Sequence, residues 1–93
     1  MAVTFRIPSY LAAFAGDRSS IRINASPSTA GDALQLLWGL YPGLRDRIVD
    51  EQGDVRQHIN VFVGNECIRF TGGLATPVPD GAELLVVPAV SGG

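Results

Sequence analysis

Apolar and polar residues alternate from the start of the chain. Val3, Phe5 and Ile7 fall on one side of an extended backbone and Thr4 and Arg6 on the other, which predicts a half-buried strand ended by Pro8 and Ser9. The same alternation returns at Ile21, Ile23 and Ala25, after a Gly16-Asp17 turn signal that predicts an antiparallel return against the first strand. Between them, Tyr10–Phe14 is apolar but stands close before that turn, and it reads as a loop with a few anchored side chains.

The period then changes. Ala30, Ala33, Leu34, Leu37, Trp38 and Tyr41 follow the i, i+3, i+4 spacing of one helix face. Thr29 stands before that run and Asp32 three residues after Thr29, as in a capping box. Pro42-Gly43 marks the end, with proline unable to continue the ladder and glycine suited to a left-handed exit. Leu44 and Ile48 allow another turn or two of helix over 44–49, before the polar loop Asp50–Asp54.

Strand signals follow. Ile59, Val61 and Val63 share one face and Asn60 and Phe62 the other; Gly64-Asn65 is a turn, and Cys67–Phe70 reads as a short strand segment. Thr71-Gly72-Gly73 and Pro77–Gly81 are loop chemistry. The last strand, Glu83–Pro88, leads through Ala89-Val90 into Ser91-Gly92-Gly93. Two strands, a helix and three further strand segments predict an α+β fold, a mixed sheet with one main helix packed on one face. Phe62 must then point away from the helix, together with one of the pairs Leu84/Val86 and Leu85/Val87, because neighbours in a strand alternate. An apolar patch on the open face follows, as a docking surface or as ground for the loop over 8–19 to cover.

Composition narrows the function classes. At 93 residues, 46% apolar and 17% charged, the chain is expected to form a single folded domain over 1–93 with a core of modest size. The longest apolar stretch is far shorter than the roughly 20 residues of a membrane helix, and the opening residues lack a signal-peptide pattern, so the expected location is the cytoplasm. All seven basic residues are arginine, scattered among nine acids for a net charge of −2, which disfavours nucleic acid as a partner. Without lysine there is no ε-amine for Schiff-base chemistry or for accepting an isopeptide bond.

The ordinary catalytic constellations are poorly represented. Cys67 and His58 are the only thiol and imidazole, too few for a disulfide or a zinc site, and as a nucleophilic pair they would have to meet across nine residues and a turn. Asp50, Glu51 and Asp54 read as a solvated loop face, and Gly72-Gly73 lacks phosphate-loop spacing. What remains is the tail over 89–93. A side-chain-free dipeptide after a strand puts an α-carboxylate at the tip of a thin thread that fits a narrow site where any Cβ would collide. With a pKa of roughly 3.3–3.7, that carboxylate is ionised at neutral pH and inert to nucleophiles until activated.

Ile59–Val63, the stretch Arg69-Phe70-Thr71-Gly72-Gly73-Leu74-Ala75-Thr76, Asp80-Gly81 and the ending Pro88-Ala89-Val90-Ser91-Gly92-Gly93 resemble the ubiquitin-like sulfur carriers. That family includes the thiamine-sulfur carrier, the small subunit of molybdopterin synthase and the carrier of a bacterial cysteine-biosynthesis route; the Arg-Phe-Thr-Gly-Gly-Leu-Ala-Thr stretch is most similar to the last. The resemblance implies a β-grasp fold with a flexible Gly-Gly tail, no bound cofactor, and no catalysis by the chain itself. It implies an E1-like adenylating enzyme that uses ATP and Mg²⁺ to activate Gly93, a sulfur donor or sulfurtransferase that converts it to a thiocarboxylate, and an acceptor such as a pyridoxal-phosphate-dependent cysteine synthase. Phe62, Leu85 and Val87 are the implied docking patch, with Gly92 and Ser91 the thread that carries Gly93; alanine is expected where this chain has Ser91. The alternatives are the small subunit of molybdopterin synthase and a ubiquitin-like protein modifier, and from a different class a binding module whose tail is idle.

Overall fold

The computed structural model describes residues 2–88. Val3–Arg6 (β1) and Ser20–Ile23 (β2) form the expected antiparallel pair, with Phe5 opposite Ile21. The connection is not a plain loop: Ser9–Ala12 makes one helical turn (α1) started by Pro8, whose fixed φ suits that position. Leu11 and Ala15 from this segment are buried, and Gly16 and Asp17, both at positive φ near +60°, reverse the chain into β2.

The main helix, α2, spans Ala30–Leu40. Its first N–H groups, which have no intrahelical acceptor, are accounted for individually: Ala30 N–H donates to Thr76 O at 2.9 Å and Asp32 N–H to Thr29 Oγ1 at 3.2 Å. Gly31 sits where a Cβ would come within 3.2 Å of the Leu74 carbonyl oxygen, so its missing side chain lets the 73–75 turn lie against the helix. The helix exit differs from expectation. Tyr41 caps it with non-helical dihedrals (φ −134°, ψ 77°) and Pro42–Leu44 follow as a 3-10 turn, so Gly43 is not left-handed and Pro42 acts as the first residue of the new turn. Arg45–Ile48 (α3) adds the second short helix, burying Leu44 and Ile48 as the spacing implied.

Ile59–Val63 (β3), Glu66–Cys67 (β4) and Glu83–Pro88 (β5) complete a five-stranded sheet of order β2-β1-β5-β3-β4. The strand segment expected over 67–70 is shorter, because the chain leaves the sheet after Cys67 and turns through a 3-10 helix over Ile68–Phe70. β5 is central, parallel to β1 and antiparallel to β3, so the sheet is mixed. Phe5, Ile59, Val61, Leu84 and Val86 point to one face and are at most 1% exposed against Ala33, Leu34 and Leu37 of α2.

Two substitutions test this account by urea unfolding. Leu84→Ala is expected to cost about 3 kcal/mol, the cavity cost of a fully buried leucine. Thr29→Ala is expected to cost about 1 kcal/mol, through the unpaired Asp32 N–H.

Candidate functional site

The face of the sheet turned away from α2 is built by register. Leu85 stands directly between Arg6 of β1 and Phe62 of β3, and Val87 stands beside Asn60. One position along, Leu84 and Val86 are buried on the helix side, while Phe62, Leu85 and Val87 are half-exposed. Alternation therefore brings the three expected patch residues together on neighbouring strands. The loop over 8–19 does not cover them. It packs toward the helices, where Phe14 lies against Gly43 and under the Arg47 guanidinium, 4.2 Å from the ring centroid, and where Gly16 approaches Tyr41.

Val87 lacks a ladder partner on its β1 side. Thr4 N–H donates to Ala82 O at 3.2 Å, so alternate residues of β1 direct their backbone groups at β5, and after Arg6 the next of these is Pro8. Proline has no N–H to continue the ladder, and its carbonyl instead accepts from Leu11 N–H at 3.0 Å. The strands part, leaving a notch of about 140 Å³ lined by Ile7, Pro8, Leu85 and Val87 at the end of β5. Pro88 closes the strand, also without an N–H. Ser91, Gly92 and Gly93, the thread expected beyond it, lie outside the described residues.

The other candidates resolve as local structure. Cys67, opposite Phe62 and half-buried, has Asn60 Oδ1 as its hydrogen-bond partner, with Sγ donating across 3.9 Å. His58 is exposed ahead of β3, four residues from Phe62 and so roughly 13 Å along a strand, too far for an acid-base pair with Cys67. Asp50 is a turn residue whose Oδ1 accepts from the N–H groups of Gln52 at 2.9 Å and Asp54 at 3.0 Å. Among the described residues no group of three His, Cys, Asp or Glu side chains could hold a metal ion, and no helix is long and apolar enough to cross a membrane. Gly72 and Gly73, both at positive φ, form the turn under which Thr71 Oγ1 and Thr76 Oγ1 are hydrogen-bonded at 3.0 Å.

Three further surface features escaped the patch reading. Arg6, beside Leu85, holds Glu83 Oε2 through Nε at 2.6 Å. Arg69 donates from Nη2 to Ile59 O at 3.0 Å and to Asn60 Oδ1 at 3.3 Å, tying the 3-10 turn after β4 to the edge of β3. Phe70, next to it, is 84% exposed, the most open of the large apolar side chains among the described residues. A strand reading over 67–70 hides this, because only the tightening into a 3-10 turn swings Phe70 out.

The sequence matches the ThiS family over residues 5–93. It is similar to the sulfur carrier protein CysO of Mycobacterium tuberculosis, 37% identical over 95 aligned residues covering 100% of both chains. It is also similar to small archaeal modifier protein 1 of Haloferax volcanii, 39% identical over 84 residues covering 89% of this chain and 91% of the relative. Among solved structures, the Amycolatopsis orientalis BexX/CysO complex contains a chain that superposes with a TM-score of 0.84 at 35% identity, covering 98% of this chain and 99% of that one. The fold is thus the ubiquitin-like β-grasp that the resemblance implied.

Neighbouring residues of β5 should respond oppositely to charge. Val86→Asp, placing a carboxylate among buried apolar groups, is expected to cost about 4 kcal/mol or more, and Val87→Asp about 1 kcal/mol or less, both by urea unfolding. Equal losses would contradict the assignment of faces.

Proposed function

Since the chain belongs to the ThiS family, we propose that it is a sulfur carrier protein, not an enzyme, and that Gly93 is the residue that carries the sulfur. The observation that carries this reading is the course of β5. The strand that presents half-exposed Leu85 and Val87 is the one that runs toward Gly92-Gly93, so a partner gripping the open face holds the thread at its root. Full-length similarity to a carrier protein supports the same reading.

The chemistry follows from the inertness of a carboxylate. A Gly93 carboxylate oxygen attacks the α-phosphorus of ATP on an E1-like enzyme with Mg²⁺, and pyrophosphate leaves. The acyl-adenylate now has a good leaving group. A sulfide equivalent, delivered by a donor or sulfurtransferase, attacks the acyl carbon, AMP departs, and Gly93 becomes a thiocarboxylate. Sulfur, softer and more nucleophilic than oxygen, then attacks an activated acceptor held by a partner enzyme, and hydrolysis of the acyl–sulfur bond returns the carboxylate. The proposed acceptor is an intermediate on a pyridoxal-phosphate-dependent cysteine synthase, with cysteine or a related sulfur metabolite as product and the cytoplasm as the compartment. Nothing in the cycle asks the carrier for a base, a nucleophile or a metal.

A second reading has its own support in the similarity to a small archaeal modifier protein. The same adenylate, attacked by a lysine amine of another protein, gives an isopeptide bond; having no lysine, the chain cannot extend conjugates on itself through ε-amines.

Intact-mass analysis after incubation with the cognate activating enzyme, ATP and Mg²⁺, with sulfide in one arm and polysulfide, whose sulfane sulfur a thiolate can take up, in the other, tests the proposal. Replacement of oxygen by sulfur adds about 16 Da, retained in Cys67→Ser, whereas a persulfide on Cys67 adds about 32 Da, is lost on reduction and is absent from that variant. The first pattern is expected; the second would move the sulfur from Gly93 to Cys67. Phe62→Asp is expected to lower kcat/KM for activation by on the order of tenfold, by placing a charge in the apolar centre of the contact.

A further inference from the structure

The charged side chains are unevenly divided between the two sides of the sheet. Arg22 of β2 stands opposite Thr4, and Arg6 stands opposite Leu85, so both point out from the open face on the same side of the apolar patch. Arg69, tied to Asn60, stands at the far edge beyond Phe62. Three of the seven arginines thus belong to this face and flank the patch from two directions. By contrast, Glu83 is the one carboxylate of the nine that the register assigns to it. The other eight lie on loops, on α2 and α3, or in Glu66 on the helix-side row with Val63.

The compensation on the face is also local. Glu83 is engaged by Arg6. Arg69 is hydrogen-bonded to two neutral carbonyl oxygens and makes no ion pair among the described residues, with Asp54 lining the same cavity. Arg22 is exposed and makes no ion pair among the described residues. The open face is therefore net positive on a chain whose net charge is −2, with the negative charge gathered elsewhere. Strands lie about 4.8 Å apart and residues about 3.3 Å along them, so Arg22, two residues out of line with Leu85 and Phe62, is roughly 12 Å from the first and roughly 16 Å from the second, at the distance of a rim around a contact core.

From this arrangement we infer that the partner surface that covers Phe62, Leu85 and Val87 is an apolar pocket rimmed by carboxylates, with Arg22 and Arg69 as the arginines that select and orient it. Apolar burial supplies the core of the contact, and the rim charges supply rate of encounter and register. The inference rests on the proposal that an activating enzyme is the partner.

The test is equilibrium binding of the labelled full-length carrier to its cognate activating enzyme, without nucleotide, read by fluorescence anisotropy at low and high salt. Arg22→Glu is expected to weaken binding on the order of tenfold at about 50 mM NaCl, and wild-type binding to weaken toward that of the variant at about 300 mM. Arg18→Glu, on the exposed loop before β2, changes the net charge equally and is expected to stay within about twofold of wild type. Equal loss in Arg18→Glu, no loss in Arg22→Glu, or salt-independent or undetectable wild-type binding would each overturn the inference. Because no nucleotide is present, these outcomes are separate from whether Gly93 is adenylated, which pyrophosphate release reports independently.

Discussion

β5 is the central strand of the sheet, joined through Glu83–Leu85 by a parallel ladder to β1 and through Leu84–Pro88 by an antiparallel ladder to β3. A slip of one residue in either ladder would turn Leu84 and Val86 out to water and bring Leu85 and Val87 into the core. The closed packing against α2 forbids this, since Phe5, Leu84 and Val86 are at most 1% exposed. Core packing thereby fixes which side chains a partner meets. It also fixes the point at which the chain leaves the sheet, because Pro8 and Pro88 both lack the N–H that another rung of the β1–β5 ladder would need.

This division of labour suits a carrier. The helix side takes the long buried side chains, the capped helix and the tight turns. Left over for the open face are a small apolar patch and a few arginines. A protein whose chemistry takes place on partner enzymes has to be stable, correctly faced and narrow at the reacting end, and a Gly-Gly ending meets the last requirement because no Cβ widens the thread.

Much of this was legible before any coordinates. The period-2 runs placed β1, β2, β3 and β5, and Thr29 with Asp32 placed the start of α2, because these elements are specified by burial and capping within a few residues. Parity requires Phe62 and one alternate pair of β5 on the open face, and the family resemblance singles out Leu85 and Val87 as that pair. Less legible were the short elements. Ser9–Ala12 becomes helical because Leu11 reaches the core, a tertiary contact that no local spacing announces. Ile68–Phe70 leaves the sheet as the Arg69 guanidinium engages the Ile59 carbonyl, and Gly43 lies inside a 3-10 turn and not at a left-handed exit. The charged flanks of the open face were invisible for a related reason: Arg6, Arg22 and Arg69 are far apart in sequence and meet only through register.

The central claim is that Gly93 is the atom-bearing end of a transfer cycle run by other proteins. ATP–pyrophosphate exchange catalysed by the cognate activating enzyme, compared between the intact chain and one lacking only Gly93, tests it most directly. Exchange that requires the intact chain and disappears with the deletion is the predicted result. Exchange that persists undiminished without Gly93 would contradict the account.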